Sequence, residues 1–169
     1  MKSMTVATVA MVAVTLAGCS GWISEGPTNQ QVKDATGLTV AGARPIVADN
    51  FELIWPKPIT VEPDMVDVGS GCRTDPNSLR SAGPPWHPRY ERQELNPSQE
   101  FIDQAMANLE AMTARGFTLV PSQNPAEDPV SRYYRDSRGF SVASSRTRAG
   151  RNDEEVRFIM ASTSPCAAE

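Results

Sequence analysis

The 169-residue sequence contains one histidine and three cysteines, and it has no Cys-x-x-Cys or Gly-x-Ser-x-Gly motif. A single histidine excludes metal sites built from several histidines and leaves His87 as the one imidazole base for a catalytic triad. A basic excess is also missing, since the formal net charge is −4, which argues against a nucleic-acid-binding protein. No apolar run reaches the roughly 18 residues of a membrane-spanning helix. These absences predict a protein that is not an enzyme and that uses no cofactor or metal.

The N-terminus has the pattern of a secretory signal. Lys2 precedes an apolar stretch over residues 6–17, which is followed by Gly18 and Cys19. Residues 16–19, Leu-Ala-Gly-Cys, match the bacterial lipobox, in which the cysteine thiol receives the lipid. An ordinary signal peptide with a chance cysteine is the alternative. We therefore expect residues 1–18 to be a lipoprotein signal peptide and lipidated Cys19 to hold the chain on the extracytoplasmic face of the cell membrane.

Residues 19–44 are predicted to be a flexible tether, because they are mostly small or polar and carry few large apolar groups. The alternative is a segment ordered against the domain, since Val32, Leu38 and Val40 could dock on it. The rest of the chain, residues 45–169, is predicted to be a single domain.

The clearest predicted element is a helix that begins near Asn96 and ends at Gly116. Asn96 followed by Pro97 is typical of an N-cap with proline at the first helical position. Gly116 is placed to end the helix in the left-handed conformation. Between them, apolar residues recur at helical spacing: Phe101, Ile102, Ala105, Met106, Leu109 and Met112.

Strands are predicted after the helix at residues 117–121, 131–136, 139–146 and 155–162, where β-branched and aromatic residues are frequent. The turn sequence at residues 136–139 predicts a hairpin. Before the helix, residues 51–55 and 59–68 are predicted to be extended, 81–88 a proline-rich loop and 89–95 a further strand. The predicted fold class is α+β: an antiparallel sheet of about four to five strands, with one long helix and room for a second short one on one face.

With Cys19 assigned to the lipid, two cysteines remain. An exported chain usually pairs its remaining thiols, so we predict a structural disulfide between Cys72 and Cys166. The disulfide would hold the C-terminal end of the domain against the segment where the chain enters the sheet. A redox-active pair is the alternative.

Arginines are concentrated between residues 132 and 157. On the predicted hairpin, guanidinium and aromatic groups alternate, and such groups can hold a phosphate, a carboxylate or the acidic surface of a partner. The residues are Arg132, Tyr133, Tyr134, Arg135 and Arg138. Long side chains that merely cover an exposed strand pair are the alternative.

Trp86 and His87 lie among prolines. Trp86 is a candidate for an exposed aromatic recognition surface, with packing in the core as the alternative. His87 lacks a recognisable nucleophile motif and is predicted to be an exposed loop residue rather than a catalytic base.

Several of these features together resemble small actinobacterial lipoproteins of the mycobacterial LppA type: the lipobox, Cys72, the capped helix that ends at Gly116 and the sequence Ser164-Pro165-Cys166. The resemblance covers most of residues 51–166. It implies a mycolate-type envelope, a helix-on-sheet fold and a disulfide, and it brings no catalytic residues.

We expect a non-enzymatic binding or accessory module of the cell envelope that engages another envelope protein or an anionic ligand. A phage- or prophage-encoded surface lipoprotein that blocks superinfection is the alternative. An envelope hydrolase would need a reactive group that the sequence does not show.

Overall fold

An antiparallel sheet and the helices packed on it make up the computed structural model, which describes residues 25–124, 128–149 and 155–169. The helices of these residues are α1 (Asn29–Thr36), α2 (Val40–Ile54) and α3 (Gln99–Ala111), with 3-10 turns at Pro63–Met65 and Met112–Arg115. The predicted signal peptide and Cys19 lie outside the described residues.

The described strands form one sheet in the order β1-β2-β6-β5-β4-β3, and every neighbouring pair is antiparallel. Their bounds are β1 (Asp67–Thr74), β2 (Ser81–Leu95), β3 (Thr118–Leu119), β4 (Arg132–Arg135), β5 (Ser141–Ala149) and β6 (Glu155–Thr163). The α+β antiparallel prediction is confirmed, and so is the β4–β5 hairpin. Within the described residues, however, the sheet has six strands rather than four to five, and three helices are present rather than one long helix with room for a second short one.

The predicted tether is wrong for its described part, because α1 and the start of α2 lie in it. Thr28 and Gln31 form a reciprocal capping box at the start of α1, and Gly37 ends the helix with φ of 64°. Val32 is buried against the domain. Leu38 and Val40 also pack against the core. The ordered alternative therefore describes this segment, since local capping and these apolar contacts outweigh its polar composition.

Helix α2 also replaces the extended segment predicted at residues 51–55. Its buried side chains follow the helical period and include Val47, Phe51 and Ile54. Contacts between aromatic side chains connect this helix to the sheet and to α3. Phe51 packs edge-on against Tyr90 of β2 at 4.6 Å between ring centroids, and Trp55 packs against Phe101 of α3 at 5.3 Å. The core therefore lies between the sheet and these two helices.

The helical segment formed by α3 and the 3-10 turn after it ends at Gly116, as predicted, but α3 begins at a different cap. Gly116 adopts φ of 87° after the final 3-10 turn. At the other end, the Ser98 side chain accepts a hydrogen bond from the Phe101 amide, so Ser98 is the N-cap. Asn96 instead bonds to β6. Its backbone N–H donates to the Val156 carbonyl at 2.7 Å, and its side-chain Oδ1 accepts from the Val156 backbone N–H at 2.9 Å.

The proline-rich segment at residues 81–88 is a strand rather than a loop. It forms the first half of β2 and pairs with β1. The continuous ladder with β6 starts only at Arg89, so Pro84 and Pro85 precede the part of the strand that needs donors on both sides. Gly69, with φ of 76°, lies in the bulge of β1 and lets its backbone pass close to the His87 carbonyl.

The C-terminal tail, residues 164–169, closes the structure beside β2 and α2. Trp86 and Ala167 exchange two backbone hydrogen bonds, of 3.0 and 2.8 Å. The Ala168 amide donates to Leu38, and the Ala168 carbonyl accepts from Val40. As predicted, Cys72 and Cys166 lie at disulfide distance, with their Cα atoms 6.0 Å apart.

Candidate functional site

The face of the sheet opposite α2 carries the candidate binding residues. Side chains alternate between the two faces along a strand. Tyr90 packs against Phe51 of α2, so its neighbour Arg89 points to the opposite face. We call this opposite face the outer face.

The strand register brings side chains from four strands into one row on the outer face. Arg89 on β2 pairs with Thr163 on β6, and Thr163 pairs with Ser141 on β5. Ser141 in turn pairs with Arg135 on β4. The row therefore has an arginine at each end and two hydroxyl groups between them. Tyr133 lies on the same face of β4, two residues before Arg135.

This row lines a groove of about 410 Å³, which we call the outer groove. Its lining residues are Ser70, His87, Arg89, Tyr133, Arg135, Gly139, Ser141, Thr163, Ser164 and Pro165. Among these described residues the lining contains guanidinium, imidazole and hydroxyl groups but no carboxylate. The groove therefore presents hydrogen-bond donors and positive charge to whatever enters it.

The two arginines of the outer groove differ in their pairing. Arg89 forms an ion pair with Glu91, and both side chains are about half exposed. Arg135 has no ion-pair partner among the described residues, and its side chain is exposed. Tyr133 beside it is 42% exposed. Arg135 and Tyr133 are thus the part of the predicted Arg/Tyr hairpin that is available to a ligand.

The other hairpin residues are not part of the outer groove. Tyr134 is 5% exposed and belongs to the core, so it is not a surface residue. Arg132 donates from Nε to the Pro129 carbonyl at 2.9 Å. Arg138 pairs with Asp136 at the hairpin turn. The strand period thus divides residues that the sequence places side by side.

Trp86 does not line the outer groove either. It is partly buried and follows the strand alternation, so it points to the opposite side from His87. Its backbone pairs with both Gly71 and Ala167. The buried indole Nε1 has no hydrogen-bond partner among the described residues. The backbone of Trp86 is thus paired on both sides and its side chain is partly buried, so Trp86 does not form an exposed recognition surface.

Arg146, one of the arginines in the basic part of the chain, is occupied by a carboxylate. Its Nε and a terminal nitrogen donate to the two oxygens of Asp128, at 2.7 and 3.0 Å. These bonds hold the pKa of the Asp128 carboxyl below its ordinary value. Asp128 thus removes one cation from those that a ligand could use.

His87 is half-buried and touches a sulfur atom, so the prediction of an exposed loop residue is wrong. Its Nδ1 lies 3.0 Å from the Ser164 carbonyl oxygen. A carbonyl oxygen only accepts, so in this bond Nδ1 carries the hydrogen. In the neutral ring, Nε2 is then unprotonated, and it lies 3.6 Å from the sulfur of Cys166. Together with Cys72, His87 and Cys166 form what we call the Cys72–His87–Cys166 cluster.

A cavity of about 890 Å³ lies between α1 and this cluster, and we call it the α1 cleft. Val32, Asp34 and Thr36 line it from the α1 side, and His87 and Cys166 line it from the other. His87 and Arg135 line both the α1 cleft and the outer groove, so they lie where the two cavities meet.

Comparison with protein-family models, curated proteins and solved structures found no match to this chain. Within the described residues, no helix is long and apolar enough to cross a membrane. Local sequence patterns pointed to Tyr133 and Arg135 but missed Arg89, Ser141 and Thr163. No local signal marks these three residues, because they join the site only through the pairing of strands distant in sequence.

Proposed function

We propose that this chain is a lipid-anchored protein on the extracytoplasmic face of a bacterial cell membrane, where it acts as a non-enzymatic binding module for an anionic ligand or partner. The observation that carries the proposal is the outer groove. There, Arg89 and Arg135 lie at the two ends of a row of hydroxyl groups, and no carboxylate is present in the described lining.

The groove has the chemistry that oxyanions require. A guanidinium group binds a carboxylate or a phosphate through two parallel hydrogen bonds. Arg135 is exposed and has no ion-pair partner among the described residues, so binding need not break an ion pair. Ser141 and Thr163 add hydroxyl donors, and the ring of Tyr133 provides a flat surface for an apolar part of the ligand. A volume of about 410 Å³ suits a small molecule or the side chains of a short peptide.

Residues other than the two arginines of the groove support the location and the lack of catalysis. The lipobox at residues 16–19 supports the anchor, and the resemblance to LppA-type lipoproteins supports an envelope location. A disulfide between Cys72 and Cys166 suits an oxidising compartment. His87, the one histidine, directs Nε2 toward a sulfur rather than toward a serine hydroxyl, which favours binding over hydrolysis.

The groove is tested with citrate and inorganic phosphate as probes, titrated into the mature protein and followed by NMR chemical shifts. Arg135→Gln removes the unpaired guanidinium and is expected to weaken binding about tenfold to hundredfold. Arg132→Gln is the matched control, because Arg132 carries the same charge, lies three residues before Arg135 and has its side chain outside the groove. Equal weakening by both variants would mean that only net charge matters, and unchanged binding by Arg135→Gln would refute the site.

The anchor is tested separately by cell fractionation. Cys19→Ala removes the thiol that would receive the lipid, and we expect the protein to leave the membrane fraction or to accumulate with its signal uncleaved. Ser20→Ala, at the next position, is the control and should remain in the membrane fraction. Retention of Cys19→Ala together with normal processing would contradict lipidation.

A further inference from the structure

The Cys72–His87–Cys166 cluster contains chemistry that anion binding does not use. The two sulfur atoms and one imidazole nitrogen lie within 4.8 Å of one another, and all three residues are half-buried. Two thiolates and an imidazole are a ligand set typical of zinc, with one position left open. We propose that the reduced form of this cluster binds Zn²⁺, so that the protein exchanges a disulfide for a metal ion.

His87 is already oriented as a zinc ligand. Its Nδ1 donates to the Ser164 carbonyl at 3.0 Å. The free electron pair of the ring is therefore on Nε2, which lies 3.6 Å from the Cys166 sulfur. Metal-binding histidines usually donate their other ring nitrogen to a carbonyl or carboxylate in this way, which fixes the tautomer and the ring plane. The Ser164 carbonyl therefore prepares His87 for the metal before any metal is present.

Backbone hydrogen bonds hold the three ligand residues together independently of the sulfur–sulfur bond. Trp86 and Ala167 bond to each other, and the Ser164 amide donates to the Pro88 carbonyl at 2.9 Å. These contacts flank both His87 and Cys166. Cys72 lies in a bulge of β1 and is held by the pairs on either side of it, Gly71 with Trp86 and Arg73 with Ala82.

Little movement is needed to admit the ion. In a tetrahedral site with zinc–sulfur bonds of about 2.3 Å, the two sulfurs lie about 3.8 Å apart. Rotation of the two cysteine side chains supplies this separation while the Cα atoms remain near their present 6.0 Å. The α1 cleft, which His87 and Cys166 line, gives the open coordination position access to solvent.

The reaction takes place in two balanced steps. A dithiol reductant transfers two electrons and two protons to the disulfide, which yields the thiols of Cys72 and Cys166 and the oxidised, disulfide form of the reductant. Zn²⁺ then binds both sulfurs and His87 Nε2, and the two thiol protons are released to solvent. A disulfide oxidant reverses the exchange: it accepts two electrons from the two thiolates and, with two protons from solvent, becomes a dithiol, while the Cys72–Cys166 disulfide forms again and Zn²⁺ is released.

Cobalt(II) titration of the full mature protein, oxidised or reduced and kept free of oxygen, tests the proposal. The reduced protein should bind one Co²⁺ with the thiolate-to-cobalt absorption band and the strong visible bands of a tetrahedral ion. The oxidised protein should show neither band. Zn²⁺ should displace Co²⁺, and competition with a chromophoric chelator gives its affinity.

Variants separate the zinc site from the anion site. His87→Gln should weaken Zn²⁺ binding at least about tenfold, in line with the effect of losing even a supporting group around a metal. Arg135→Gln changes the lining of the same cleft without removing a ligand, so its zinc affinity should equal that of the wild type. A loss of citrate binding with intact zinc binding, which is expected of Arg135→Gln, thus identifies the groove. The converse, a loss of zinc binding with intact citrate binding, is expected of Cys72→Ser/Cys166→Ser, because neither cysteine lines the outer groove.

Three results would overturn the proposal. The first is a reduced protein that binds cobalt without the thiolate band. The second is a His87→Gln variant that binds zinc as tightly as the wild type. The third is a reduced protein whose circular dichroism shows an unfolded chain before metal is added, because the ligands would then not be held by the backbone.

Discussion

Removal of the Cys72–Cys166 disulfide should destabilise the protein without abolishing its fold. The perturbation is the double variant Cys72→Ser/Cys166→Ser, which keeps both side chains nearly the same size. The cysteines are 94 residues apart in sequence, so the bond closes a long loop in the unfolded chain. In the chain-entropy treatment a loop of this length corresponds to about 4–5 kcal/mol in the free energy of unfolding.

The folded state keeps its other connections at this point. The tail remains bonded to β2 through Trp86 and Ala167, and to the start of α2 through Ala168. For a domain of this size, a loss of 4–5 kcal/mol corresponds to a fall in Tm of about 10–15 °C. We therefore expect a folded variant at 25 °C with near-native circular dichroism and a markedly lower melting temperature.

The assay is thermal and urea unfolding of the variant beside oxidised and reduced wild type, with a metal chelator in every sample. Reduced wild type is the matched control, because it loses the cross-link and keeps both sulfur atoms. The variant and the reduced wild type should melt at similar temperatures. A variant that melts within about 2 °C of the oxidised wild type would refute the loop-closure reasoning.

Three further changes test the core, a charge pair and a cap. Phe158→Ala removes a ring with no exposed area that packs edge-on against Phe101, so the free energy of unfolding should fall by about 3–5 kcal/mol in urea titration, and a loss below about 1 kcal/mol would contradict this packing. Asp128→Asn breaks the ion pair with Arg146 and should cost about 1 kcal/mol near neutral pH. Because the bonds from Arg146 lower the pKa of the folded Asp128 carboxyl, this stabilisation is present above the unfolded pKa and is lost as the pH falls through the folded value. The difference in stability should begin to shrink below about pH 4 and disappear once the pH is below the folded value, and a difference that persists below the folded value would contradict the assignment. Ser98→Ala should lower stability by about 1 kcal/mol through loss of the α3 cap, measured by thermal unfolding, and no loss would mean that the cap is replaceable.

Elements with local signals were predictable from the sequence. Gly116 ends the 3-10 turn that follows α3, because only a residue tolerant of positive φ suits that position. The turn before Gly139 joins two strands of the predicted hairpin. The Asn-Pro sequence is a strong local cap pattern and predicts that α3 begins at Asn96. In the structure, Asn96 bonds Val156 of β6, a partner that no local pattern can indicate.

Strand β2 shows how tertiary pairing can override composition. Three prolines between residues 81 and 88 argue for a loop in any local analysis. Here Pro84 and Pro85 lie where the strand pairs with β1 and before its ladder with β6, so their missing N–H groups leave no gap in that ladder. Only knowledge of the strand order would have shown that the sheet tolerates them.

Only one side of the candidate site, the side formed by β4, is predictable from the sequence. The aromatic and basic character of Tyr133 and Arg135 is visible in the sequence, but the contiguous pattern included Tyr134, which the strand period turns into the core. The opposite wall, from Arg89, depends on β6 lying between β2 and β5. That arrangement joins residues from distant parts of the chain, and one sequence carries no local mark of it.

The edges of the sheet determine how copies of this protein behave when they are crowded together. A long, regular edge strand is a template for a strand of another molecule. Within the described residues, one edge is β3, which is two residues long, and the other is β1, which is interrupted by bulges. Neither edge offers an unbroken row of backbone groups. Molecules concentrated on a membrane surface would therefore resist aggregation through strand addition, and recognition would be left to the side chains of the outer face.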